Sequence, residues 1–89
     1  MNKTGRILKK VRRARKLTYR EADRSDVIGY LFDLCAKGVD KGDYSIVRKA
    51  ISICFDWNEE NPDAEIDIRE GDDYILIEDY VVYFNGKEF

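Results

Sequence analysis

A chain of 89 residues that is 44% apolar and 38% charged holds one modest core, which excludes both a disordered polymer and a two-domain protein. It has no histidine, and its two cysteines, Cys35 and Cys54, form no CxxC pair, so histidine-based catalysis and zinc-finger spacings are excluded. The formal charge of −2 conceals a split, because residues 1–20 carry +9, residues 21–55 carry −1 and residues 56–89 carry −10.

From Arg6 to Leu17 the apolar residues Ile7, Leu8, Val11, Ala14 and Leu17 recur at helical spacing. Arg6, Lys9, Arg12, Arg13 and Lys16 lie on the opposite face, and Lys10 and Arg15 flank a narrow apolar stripe. A basic amphipathic helix is expected within residues 1–17. Thr18-Tyr19-Arg20-Glu21 has the pattern of a capping box, so a second helix is expected to begin there. Its buried face is Val27, Ile28, Tyr30, Leu31, Leu34 and Cys35, ending at Gly38; Arg20, Asp23 and Arg24 fall on that same face. The early turns must therefore overhang the core, or the helix restarts at Ser25.

Gly38 to Asp43 reads as a connector, after which Asp43 or Ser45 caps a third helix with the face Ile46, Val47, Ala50, Ile51, Cys54 and Trp57. Asn61-Pro62 ends it, because the residue before proline is pushed out of the helical region. Residues 18–61 should thus form an antiparallel helical hairpin. From residue 63 the period changes to alternation, with Ile66 and Ile68, a turn at Gly71-Asp72-Asp73, and then two apolar runs, Tyr74–Ile77 and Tyr80–Phe84. Glu78-Asp79 fits either a turn or the middle of one long strand, and Asn85-Gly86 signals a type I′ hairpin into Lys87–Phe89. The expected fold is α+β, a single domain over 1–89. It consists of a basic helix, a helical hairpin and a three- or four-stranded antiparallel meander.

Both faces of that meander read as apolar. Tyr74, Leu76, Tyr80, Val82 and Phe84 share one parity, and Ile75, Ile77, Val81 and Tyr83 the other. Two helices cover one face, so the basic helix is expected to cover the second, the alternative being an aromatic face or edge left for a partner.

Two surfaces carry the functional expectations. The first is the carboxylate-rich sheet, with Asp67, Glu70, Asp72, Asp73, Glu78 and Asp79, which suits a protein partner such as a nucleic-acid enzyme with a basic groove. The second is Arg6, Lys9, Arg12, Arg13, Lys16 and Arg20, which would hold the phosphates of DNA or RNA, unless the acidic half neutralises them within the molecule. A third reading is a structural subunit that assembles basic helix to acidic sheet.

Ile7 to Asp23 resembles the opening of helix-turn-helix readers, a basic amphipathic helix followed by a Thr-capped one. It departs from them where Ala22-Asp23 replaces an apolar pair and Arg24-Ser25-Asp26 replaces the turn, so membership is not assigned. In size, charge polarity and absence of catalytic motifs the chain resembles the small proteins with which phages inhibit or redirect host nucleic-acid machinery, anti-CRISPR proteins among them. That resemblance implies inhibition through the acidic surface.

No enzyme, cofactor or metal is expected. Asp63, Glu65 and Asp67 would face one way if extended, but Ile68 and Tyr74 stand where a calcium loop needs glycine and glutamate. The cysteines read as buried thiols on packed helix faces. No apolar run reaches the roughly 18 residues of a membrane span, and residues 1–17 lack the marks of a targeting segment. A cytoplasmic monomer or homodimer is expected.

Overall fold

The computed structural model describes residues 3–18 and 22–84. Three helices, α1 (Lys3–Ala14), α2 (Arg24–Lys41) and α3 (Tyr44–Glu60), precede a 3-10 turn at Pro62–Ala64 and the strands β1 (Ile68–Glu70), β2 (Tyr74–Ile77) and β3 (Tyr80–Phe84). The strands form one antiparallel sheet in the order β1-β2-β3. The α+β architecture and the three-stranded form of the meander are as expected. A fourth strand at Lys87–Phe89 and the Asn85-Gly86 turn lie outside the described residues.

α2 starts later than its sequence suggests. Asp23 is the N-cap, its carboxylate accepting from the Asp26 amide at 3.1 Å while the Asp26 carboxylate accepts from the Asp23 amide at 3.0 Å. This reciprocal pair satisfies two donors at the helix start. Thr18 is exposed and outside any helix, and its proposed partner Glu21 lies outside the described residues.

α2 also ends later. It runs past Gly38 to Lys41, and Gly42 takes the left-handed conformation (φ 63°) that closes it. Gly38 is instead a packing residue, since a Cβ there would stand 2.7 Å from Val47 Cγ2 and 3.1 Å from the Asp43 carbonyl oxygen. Its lack of a side chain lets α3 approach α2 closely. The Asp43 carboxylate then caps α3 by accepting from the Ser45 amide at 3.0 Å.

The core gathers Ile7 and Val11 from α1, Val27, Tyr30, Leu31 and Cys35 from α2, and Val47, Ala50, Ile51, Ile53, Cys54 and Trp57 from α3. Ile66, Ile75, Ile77 and Val82 close it from the sheet side. Of the hairpin faces expected from periodicity, Val27, Tyr30, Leu31, Cys35, Val47, Ala50, Ile51, Cys54 and Trp57 are buried, Ile28, Leu34 and Ile46 are half-buried, and Ile53 is added to the buried set.

The α3 terminus also fixes the chain's entry into the sheet. The Asn58 side-chain amide donates to the Ile66 carbonyl at 2.8 Å and accepts from the Ile66 amide at 2.7 Å, imitating one rung of a strand pair. Trp57 Nε1 donates to the Ala64 carbonyl at 2.8 Å.

Glu78 and Asp79 are a turn. Both have positive φ, 52° and 68°, and they join the paired residues Ile77 and Tyr80, as a two-residue type I′ hairpin requires. Because 77 and 80 face each other, Tyr80 shares a face with Ile77 and Val81 stands opposite Leu76; a bulge between Leu76 and Ile75 then puts Tyr83 opposite Ile75. A single parity carried through residues 74–84 therefore fails. Ile75, Ile77 and Val82 are buried, whereas Tyr74 and Val81 are exposed and Leu76 is half-buried.

The basic helix does not cover that outer face. α1 packs on α2 and α3, because its narrow stripe, Ile7 and Val11 with Leu8 beside them, fits the groove of the helical hairpin. Among the described residues the outer sheet face stays open, with Tyr74 and Val81 exposed.

Candidate nucleic-acid interface

α1 is clamped at both ends. At its N-terminus the Glu60 carboxylate, brought by the last turn of α3, accepts from the amides of Lys3 and Thr4 at 3.0 Å each and from Thr4 Oγ1 at 2.7 Å. A carboxylate there satisfies free helix amides and opposes the positive end of the helix dipole. These hydrogen bonds from Thr4 hold the Glu60 carboxyl below its usual range. Lys3 Nζ reaches Glu59 at 3.2 Å and Asp56 at 3.5 Å, and its pKa is raised by that company. Asn61 Nδ2 adds a bond to Thr4 Oγ1 at 2.9 Å.

At the C-terminus Lys16 is left-handed (φ 56°), the Leu17 amide donates to the Arg12 carbonyl at 2.9 Å and the Lys16 amide to the Arg13 carbonyl at 3.3 Å. This is a Schellman closure built on lysine instead of glycine. It folds Leu17 back onto the core. Arg15 lies across Gly29 of α2 to pair with Asp33 at 2.9 Å.

Lys3 and Arg15 are the cations so consumed. Arg6, Lys9, Arg12, Arg13 and Lys16 are all exposed, and among the described residues none of them makes an ion pair. At 100° per residue they span roughly a third of the helix circumference, opposite Ile7 and Val11. Arg12, Arg13 and Lys16 also favour the negative end of the helix dipole. Arg20 lies outside the described residues. Among the described residues the acidic half does not pair with this face; it meets the helix at its N-terminal end, through Lys3 and Thr4.

The six acidic candidates do not form one array. Glu78 is half-buried, its carboxylate paired with Arg24, whose guanidinium also donates to the Glu65 carbonyl at 2.7 and 3.0 Å. Arg24 thereby ties the start of α2 to the β2–β3 turn, which explains a cation on the expected buried face of that helix. Arg69 sits between Asp67 at 3.2 Å and Asp79 at 3.6 Å. Glu70 lines a shallow depression on α3 with Arg48, Ser52, Phe55 and Asp56. Asp72 and Asp73, in the β1–β2 turn, are exposed and make no ion pair among the described residues.

Among the described residues there is no cluster of three potential metal ligands. Burial pushes the thiol of Cys35 up to about 11; burial, with the charge of Glu78, pushes that of Cys54 up to about 12. Both are inert thiols at neutral pH.

Glu60, Thr4, Arg24, Arg69 and Asn58 shape these surfaces and carry no signal in sequence, since each but Arg69 acts on residues at least eight positions away. No helix among the described residues is long and apolar enough to cross a membrane. No protein-family model, curated protein or solved structure matches this chain.

Proposed function

We propose that this chain is a non-enzymatic nucleic-acid-binding accessory protein that holds phosphate through the outward face of α1. One observation carries the reading: Arg6, Lys9, Arg12, Arg13 and Lys16 stay exposed and free of ion pairs among the described residues, although the molecule carries eighteen carboxylates. A packed, doubly clamped helix presents them in fixed geometry, which lowers the ordering cost of binding. A row of cations along one helix face offers a track for the phosphate backbone, so contact with little sequence preference is expected.

The test is binding of a fluorescein-labelled DNA duplex across a salt series. Three to five phosphate contacts predict a log–log slope of roughly −2.7 to −4.5. Replacing all five cations by glutamine should abolish binding and leave the thermal midpoint close to wild type, because none of them touches the core. A flat salt response, or no binding at low salt, overturns the reading.

A second reading keeps a protein partner with a basic groove. It is favoured by the outer sheet face, open among the described residues and carrying Tyr74, Leu76 and Val81, and by Asp72 and Asp73 in the adjoining β1–β2 turn, which make no ion pair among those residues. Charge reversal at Asp72 and Asp73 would weaken capture of such a partner and leave DNA binding unimpaired.

A further inference from the structure

β3 is the edge of the sheet, and among the described residues nothing pairs with its outer side. Edges are ordinarily guarded by charge, proline or a covering element. Tyr80-Val81-Val82-Tyr83-Phe84 contains neither charge nor proline. Ile77 and Tyr80 close the two-residue hairpin, a position at which both residues exchange hydrogen bonds across the ladder, so the amide and carbonyl of Val81 point away from β2.

Val81 also lines an open groove of about 630 Å³ between β3 and α2, with Phe32, Ala36, Val39 and Asp40 on the helix side and Tyr80 beside Val81 on the strand side. Its wall is preformed: Phe32 and Tyr80 meet edge to face, ring centroids 5.7 Å apart at 78°. Tyr80 is 68% exposed and Val81 47%, so neither is used by the fold's own core.

We propose that this groove is a strand-addition site for an extended, aliphatic peptide segment of a partner protein that carries a lysine or arginine. The Val81 amide and carbonyl, which no described strand pairs with on that side, supply the pairing, and alternate side chains of the added strand drop toward α2. From Phe32 to Val39 the helix rises about 10 Å, room for two inward side chains at the roughly 7 Å repeat of a strand. Asp40 is the charged group lining the groove; it is exposed, makes no ion pair among the described residues, and calls for a cation on the peptide. A second copy of this chain is a poor occupant through β3, since residues 80–84 offer no cation to Asp40.

The probe is a fluorescein-labelled peptide of alternating valine and lysine, about seven residues long, the length of an ordinary strand. Binding is followed by anisotropy and by amide shifts of the isotope-labelled full chain. Shifts are expected at residues 80–82 and 32–40. Asp40→Lys should weaken binding about tenfold, and Val81→Pro should abolish it, because its amide is not used within the sheet. If Val81→Pro fails to fold, the same peptide with alternate backbone nitrogens methylated replaces it and should not bind. The proposal is overturned by absence of binding, by shifts confined to the Asp72-Asp73 turn, by binding insensitive to both Asp40→Lys and backbone methylation, or by a dimer through β3 that the peptide does not displace.

Discussion

Replacing Asn58 by alanine should be among the most damaging substitutions in this protein, although the residue is polar and only half-buried. Its amide occupies the Ile66 amide at 2.7 Å and the Ile66 carbonyl at 2.8 Å, and Ile66 itself is 1% exposed. Truncation leaves both backbone groups unpaired, at about 1–3 kcal/mol for each buried group left unsatisfied. The other contact to that carbonyl is a weak one from Cys54 Sγ at 3.9 Å. A loss of about 2–4 kcal/mol is expected, a large share of the roughly 4–13 kcal/mol typical of a domain this size. With a urea slope of about 1 kcal/mol per molar, the denaturation midpoint should fall by roughly 2 M or more. Asn58→Asp should be no better at neutral pH, because it keeps the acceptor for the Ile66 amide but sets a carboxylate against the Ile66 carbonyl. Amide exchange supplies the local readout: the Ile66 amide should lose protection in Asn58→Ala. An unfolding free energy within about 0.5 kcal/mol of wild type, as for an ordinary surface substitution, with that amide still protected, would refute the reasoning.

Gly38→Ala should destabilise by about 1–2 kcal/mol in the same assay, because overpacking against Val47 and the Asp43 carbonyl outweighs the roughly 1 kcal/mol that alanine gains in a helix. Asp79→Gly should do the reverse and stabilise by about 0.5–1 kcal/mol, since it relieves a left-handed non-glycine residue and gives up only an exposed 3.6 Å ion pair. Both thiols should resist alkylation in the folded protein at pH 8 and react on unfolding, because burial raises them to about 11 and 12. The sign of the linkage follows: the folded state holds these protons more tightly, so the thiols contribute stability in full below the unfolded value near 9, and it drains away as pH rises toward 11–12. A urea midpoint that did not fall over that interval in wild type relative to a Cys35→Ala, Cys54→Ala double variant would contradict this.

Periodicity made the helical hairpin legible because a face such as Val27, Tyr30, Leu31 and Cys35 has no other use than burial. Boundaries were less legible, since they depend on groups far away in sequence. α1 begins at Lys3, three residues before its first periodic residue pattern, because Glu60 of another helix supplies the cap. Gly38 looked like a helix end, and only the closeness of Val47 makes it a packing position. Glu-Asp is not a type I′ signature, so the β2–β3 turn could not be read from residue type. With the turn unread, the parity of Tyr80, Val81 and Val82 was unreadable too. The cationic face of α1 was legible residue by residue; its freedom from the acidic half was not, because that depends on where the carboxylates go.

They go to specific cations. Of the acids on the sheet, Glu78 belongs to Arg24 and Asp67 and Asp79 share Arg69, while Asp56, Glu59 and Glu60 gather at the first turn of α1. All but the local Asp67–Arg69 pair fasten one element to another: helix to helix at Lys3 and Thr4, helix to turn at Arg24. This explains how a chain with a strong charge gradient folds without discharging it. Uniform neutralisation would draw the outward cations of α1 toward the sheet, but Ile7 and Val11 fix the rotation of the helix by burying its opposite side. Packing thus overrules electrostatics in setting which face of α1 meets solvent, consistent with the small worth of exposed ion pairs beside buried aliphatic side chains. Deleting α1 would remove both its cations and two core residues, so charge substitution on the intact helix is the means of separating phosphate binding from folding.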